Sequence, residues 1–259
     1  MRVHSQVILS VITVAAYDLD RLKTTLNSYI GIASTVEFIL VYPVNDIITE
    51  AYLSEFMLEN NIRITIVHDL GVGVYAAMNL GSKVSIGTYL MFWNAGDSCL
   101  STDELINFTT YLETTKPIWG FTQARFNWRD PQKLNSQNVK NFVLQRGGYV
   151  SHQTNFTRRS DFINLGGFDE SLKVAADYKL IAQLWQLGKV SFYEYAVVEI
   201  EFPNFSAQNN RIGRIESVKI LFQALPLKFI IVSLIFILKR ECRYLLNRIC
   251  RLRLRNGEK

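Results

Sequence analysis

Cysteine is scarce here and unpaired: Cys99, Cys242 and Cys250 are an odd number, with no C-x-x-C spacing in 259 residues. A disulfide framework or a cysteine zinc site is therefore not expected, and reduced thiols in a cytosolic setting fit best. Internal repeats are absent too, which sets aside solenoids and propellers. Long hydrophobic runs are also missing. A spanning helix needs roughly 20 apolar residues, whereas Leu227 to Leu238 offers about twelve, interrupted by Lys228.

What is present is an ordinary globular composition, 49% hydrophobic and 20% charged, with slightly more apolar content than a soluble protein needs. The length suits one large domain with an appendage. Net charge is +5, and it is concentrated. Lys239, Arg240, Arg243, Arg248, Arg251, Arg253, Arg255 and Lys259 face only Glu241 and Glu258 in the same stretch, so the rest of the chain is close to neutral. An apolar run followed by such a tail reads as an interfacial helix with a patch for anionic lipid. The other reading is a helix packed on a partner or on a second copy in a homodimer. Nucleic acid is not expected, because the apolar neighbour has no use on a polyanion. At the other end, Val7 to Ala16 is rich in β-branched residues and reads as a buried first strand rather than a signal peptide.

Strands and helices alternate from that point. Val7 to Ala15 is a strand, and Asp18 or Asp20 caps a helix that runs to about Ile30. Val36 to Val41, Ile62 to Val67 and Thr88 to Trp93 are further strands, separated by helices over Thr49 to Asn60 and Val74 to Ser85. This spacing predicts βαβ units and a mainly parallel sheet, with ligands beyond the carboxyl ends of the strands. Asn94-Ala95-Gly96-Asp97 lies at such an end, so a buried strand delivers a carboxylate to the rim. A helix over Ser101 to Thr115, capped by Ser101 or Thr102, and a strand over Pro117 to Phe126 follow. The polar stretch Asn127 to Gly148 has little periodicity and is either a mobile flap, which we favour, or simply disordered. "AADYKLIAQLWQLG" is an amphipathic helix, and "KVSFYEYAVVEIEF" is strand-like.

Six segments occur in a telling order: "VITVAAYD", "GVYAAMNLG", "FWNAGD", "SHQ", "GGFDES" and "AADYKL". Each is weak alone. Together, over about Val7 to Phe202, they resemble the family 2 glycosyltransferases of the GT-A fold, and within it the bacterial envelope-polysaccharide enzymes. The resemblance implies an inverting transfer from a nucleoside-diphosphate sugar, assisted by Mg²⁺ or Mn²⁺, to a lipid-linked oligosaccharide or polysaccharide. It implies a GT-A domain over residues 1–210, and a basic helical segment over 211–259 would hold the protein peripherally at the cytoplasmic face of a bacterial inner membrane.

Residue by residue, the resemblance places Asp97 on the metal and makes Asp177 the base that deprotonates the acceptor hydroxyl. A hard divalent cation prefers such carboxylate oxygens together with phosphate, and a base needs a carboxylate close to the acceptor. Asp177 also suits the N-cap of the helix Tyr178 to Leu187. Ala15, Tyr17, Asp69, Tyr75, Asn79, Asn94, Ala95, Gly96, His152 and Gln153 are donor-site positions by the same comparison. His152 has three readings: metal ligand, donor to the diphosphate, or core imidazole. Arg158 or Arg159 can reach phosphate, or both are solvated. Asp169 and Glu170 are expected to order their turn.

The pattern is incomplete. The family usually has two acids where Asn94 and Asp97 stand, an acid at Ala76, and a base-binding Asp where Tyr42 ends the second strand. Tyr42 can stack on the base or donate through its hydroxyl, with Asp46 compensating from the loop. The nucleotide is thus open, UDP being favoured over GDP or dTDP. Two rivals remain: a catalytically inactive membrane-associated scaffold of the same fold, and an NAD-binding oxidoreductase built on Gly71-Val72-Gly73-Val74-Tyr75-Ala76, which fits G-x-G-x-x-A.

Overall fold

The computed structural model describes residues 6–32, 35–127, 129–145, 150–201 and 210–224, together with 230, 231, 235 and 238. Every position of β1 (Leu9–Val14) is buried, as an apolar strand covered on both faces demands. The chain then winds outward through α1 (Leu19–Asn27), β2 (Val36–Pro43), α2 (Ile47–Glu59) and β3 (Ile64–Asp69), with β2 parallel to β1 and β3 parallel to β2. After α3 (Val74–Val84), β4 (Tyr89–Asn94) returns to the other side of β1, again parallel, and pairs Asn94 with Val14. This reversal opens a crevice beyond the carboxyl ends of β1 and β4. α3 can lie close over β1 and β2 because it carries Gly81, where a Cβ would stand 2.5 Å from Ile12 Cγ2.

Helix starts follow local chemistry. Asp18 caps α1 by accepting from the Arg21 N–H, and Asp46 caps α2 by accepting from Thr49. Ser101 does the same for α4 (Thr102–Thr115) through Glu104.

Beyond β4 the sheet continues with β9 (Asn155–Arg158), antiparallel to β4, then β6 (Trp119–Phe121) and β10 (Ser191–Phe192), giving the order β10-β6-β9-β4-β1-β2-β3. The expected mainly parallel α/β architecture is met. A second sheet has the order β5-β11-β7-β8, from β5 (Ser98–Cys99), β11 (Val198–Ile200), β7 (Ala124–Phe126) and β8 (Arg129–Gln132). The single strand expected over Pro117 to Phe126 is therefore two strands in different sheets. Thr122 and Gln123 divide it, their N–H groups donating to the Thr154 and Tyr195 carbonyls.

The expected flap is corrected over its described part. It forms β8 and α5 (Ser136–Gln145), with Leu134, Val139 and Val143 buried. Phe142 meets Tyr178 of α7 (Ala176–Leu187) edge to face, and the Tyr178 hydroxyl donates to the Val143 carbonyl at 2.9 Å. Three apolar residues at helical spacing suffice for this docking, too few to stand out in a polar stretch. Positions 128 and 146–149 lie outside the described residues.

A short helix, α6 (Arg159–Asn164), follows β9. A further helix, α8 (Asn210–Ala224), packs against α7 with Gly213, Glu216, Ser217, Ile220 and Leu221 buried. Among the described residues no helix is long and apolar enough to cross a membrane. The basic tail from Lys239 lies outside them.

Candidate active site

A cavity of about 410 Å³ occupies the crevice. Its floor is Val14 and Ala15 at the end of β1 with Asn94, Ala95 and Asp97 at the end of β4. Asp69, Gly71 and Gly73 form one wall, and Tyr17, Arg21 and Glu201 another. Tyr17 takes a left-handed conformation, φ 54°, uncommon for a non-glycine residue. Its N–H donates to Asp46 at 3.1 Å and its hydroxyl to Asn45 at 2.6 Å, which hold it there.

Asp97 is 1% exposed yet lines this cavity. The Asn94 N–H donates to its Oδ2 at 2.8 Å and the Glu201 N–H to its Oδ1 at 3.0 Å. Burial pushes its pKa up to about 7 against these two bonds and the nearby Gln153 amide, while the Glu201 charge adds to the rise. Gln153 Nε2 is buried without a hydrogen bond of ordinary geometry, and its amide is close enough to Asp97 to favour the charged carboxylate.

Glu201 is the acid that sequence reasoning missed. β11 pairs antiparallel with β5, Glu199 against Ser98, and continuing that register sets Glu201 opposite Gly96. Gly96 has φ 101°, and a Cβ on it would fall 1.7 Å from Glu201 Oε2. The backbone angle favours glycine here, and any Cβ would also push the Glu201 carboxylate aside. Arg21 Nε donates to Glu201 Oε2 at 2.6 Å, so a cation and two acids meet at the cavity. The pairing of strands about 100 residues apart in sequence brings Glu201 beside Asp97, and no local motif announces it.

The two carboxylates are hard oxygen donors of the kind Mg²⁺ and Mn²⁺ take. Among the described residues no group of three or more His, Cys, Asp or Glu could hold a metal ion. The residues therefore fit a cation that draws most of its ligands from a bound diphosphate, and do not form a preformed metal cage.

Asp177 lies in the first turn of α7 and is not its N-cap, which is Ala175. His152 opens a single 3-10 turn, His152–Thr154, and its Nδ1 stands 3.8 Å from Asp177 Oδ2. Burial lowers the His152 pKa, opposed by the Asp177 charge, so the imidazole is neutral at neutral pH. Its Nε2 is buried without a hydrogen-bond partner. This turn carries Gln153 toward Asp97 and His152 toward Asp177, joining the two candidate acids.

Asp177, His152 and Gln153 do not themselves line the cavity, and other expected site residues stand elsewhere too. Tyr42 is 1% exposed, does not line the cavity, and sets its ring against His68. Side chains alternate along a strand, so its neighbour Pro43 faces the cavity instead. Asp46 is occupied in capping α2 and holding Tyr17. Tyr75 and Asn79 line no part of the cavity. The Tyr75 hydroxyl donates to the Val174 carbonyl at 2.8 Å, and Asn79 clamps the glycine turn through Phe168 and Glu170. Asp169 and Glu170 order that turn, as expected. Arg158 pairs with Tyr89 at the amino end of β4, the opposite edge of the sheet from the cavity, and donates to the Lys116 carbonyl. Neither it nor the adjoining Arg159 is a wall of the cavity.

No family model matches the chain. The PGL/p-HBAD biosynthesis glycosyltransferase of Mycobacterium tuberculosis (strain ATCC 25618 / H37Rv) is 29% identical over 122 residues, 45% of each chain, and its counterpart in Mycobacterium bovis (strain BCG / Pasteur 1173P2) matches equally. The matched region is thus less than half the length of these curated relatives. Among solved structures, S. aureus TarS 1-349 in complex with UDP-GlcNAc superposes with a TM-score of 0.65 at 14% identity, covering 84% of this chain and 67% of that one. Its complex with UDP gives 0.63 at 15%, over 84% and 66%. The mannosyltransferase PcManGT from Pyrobaculum calidifontis, in complex with GDP-Man and Mn²⁺, gives 0.60 at 15%, over 83% and 63%. The fold is that of the GT-A glycosyltransferases. The relatives in sequence are glycosyltransferases by name, and PcManGT among the structural neighbours is a mannosyltransferase.

Proposed function

We propose that this chain is an inverting, metal-dependent glycosyltransferase that moves a sugar from a nucleoside-diphosphate donor, UDP-sugar in the first instance, to a lipid-linked glycan in cell-surface polysaccharide biosynthesis. The observation that carries the reading is the cavity at the strand reversal, with Asp97 buried in its floor yet open to it. Asp97, with Glu201 beside it, would hold Mg²⁺ or Mn²⁺, which when bound offsets the charge on the departing diphosphate. Gly71 and Gly73 leave the cavity wall free of side chains where the donor would lie. Asp177 takes the proton from the acceptor hydroxyl as its oxygen attacks the anomeric carbon and the bond to the diphosphate breaks, inverting that centre. Neutral His152, 3.8 Å away, leaves the Asp177 carboxylate to serve as base.

Calorimetric titration of UDP, GDP, dTDP and NAD, with and without Mn²⁺, tests the proposal. Mn²⁺-dependent binding of one diphosphate that is lost in Asp97→Ala is expected. Binding of NAD alone would favour the oxidoreductase. Failure to bind any nucleotide would leave the inactive scaffold.

The place of action we propose is the cytoplasmic membrane surface. Ile212, Ile215, Val218 and Phe222 are exposed on α8 at helical spacing, and Ile231, Ile235 and Leu238 continue exposed beyond it. Such a stripe beside a basic tail suits insertion among anionic headgroups, each basic residue adding about 1 kcal/mol near the surface.

A further inference from the structure

Asp46, Asp97 and Glu216 are the buried acids among the described residues. Asp46 caps α2 and Asp97 lines the cavity, which leaves Glu216 on α8 without a role. Its carboxylate accepts three backbone N–H groups, from Lys173 at 2.7 Å and from Val174 and Ala175 at 2.9 Å each. These residues lead into α7, whose cap residue, Ala175, has no side chain able to accept. A carboxylate at that point satisfies orphan donors and complements the helix dipole. One turn earlier on α8, Gly213 closes on Val174, where an added Cβ would stand 3.1 Å from Cγ1. The Val174 carbonyl in turn accepts from the Tyr75 hydroxyl, which lies 3.4 Å from Asp177 Oδ1. The clamp thus ends two residues before Asp177 in sequence and meets it again through Tyr75.

We propose that Glu216 is a positioning residue for Asp177. Supplied by α8 in place of a local cap, it fixes the backbone that aims the Asp177 carboxylate, so turnover depends on α8 being seated on α7. The inference rests on the glycosyltransferase reading above. Among the described residues Glu216 does not line the donor cavity and reaches the site through residues 173–175 and Tyr75, so donor binding is expected to be independent of it.

The test uses the full chain with Glu216→Gln and Glu216→Ala. Three quantities are read: amide exchange at residues 173–175, the Kd for UDP with Mn²⁺, and release of UDP or GDP from UDP-GlcNAc or GDP-Man with water as acceptor. Faster exchange, a UDP Kd within about twofold of wild type, and kcat lowered about 10- to 100-fold are expected, with Gln milder than Ala because it keeps one acceptor oxygen. Should Glu216→Ala fail to fold, Gly213→Ala perturbs the same contact more gently. Unchanged exchange, unchanged kcat, or kcat and UDP affinity falling together would overturn the proposal, the last because it marks general loosening. If the wild type neither binds UDP, GDP or dTDP with Mn²⁺ nor releases nucleotide from either donor, the transferase reading fails and the role of Glu216 with it, while amide exchange still reports whether the clamp exists.

Discussion

Gly96 combines a left-handed backbone with a carboxylate where its Cβ would stand. Gly96→Ala is expected to displace Glu201 and strain the turn at a cost of about 1–3 kcal/mol. A lowered melting temperature together with weaker UDP binding would report this, and unchanged values would show that Glu201 swings aside freely. Asp97 makes a second prediction. Its pKa is raised from 3.8 to about 7, so between those values the folded state binds a proton that the unfolded chain has released. The stability that Asp97 contributes to the metal-free protein is full at the acid end of that window and is lost as pH rises through it. Urea unfolding at both ends should show this slope, and Asp97→Asn should flatten it. Asp97 itself was legible because it ends a motif. Glu201, Arg21 and Glu216 were not, because each acquires its role from a partner distant in sequence.

The segment Asn127 to Gly148 is the element whose reading changed most. Helical spacing of Val139, Phe142 and Val143 was diluted by the polar residues around them, and what orders the helix is α7, which only the fold brings alongside. A large-to-small change at Leu134, 2% exposed, should therefore cost about 2–5 kcal/mol, as in other cores. Were the segment a loose flap, Leu134→Ala would leave the denaturant midpoint untouched. Tyr178→Phe, which leaves the buried Val143 carbonyl without its donor, should cost about 1–3 kcal/mol by the same measurement.

For the whole molecule, removal of residues 226–259 tests the membrane proposal without touching Glu216. The shortened protein is expected in the soluble fraction with UDP binding intact. Persistence on membranes would place the anchor elsewhere, and the exposed face of α8 would be the next surface to alter. The alternation of β-branched runs with capped helices fixed the parallel sheet and the crevice from sequence alone, since strand burial and helix capping are read over a few residues. The order of the motifs carried the glycosyltransferase resemblance. What tertiary structure alone decided was which polar residues face that crevice. Side-chain alternation turned Tyr42 away, the β5–β11 register brought Glu201 in, and the packing of α8 set Glu216 at the start of α7. Each of these is a contact between segments far apart in the chain, and a sequence read locally contains no term for it.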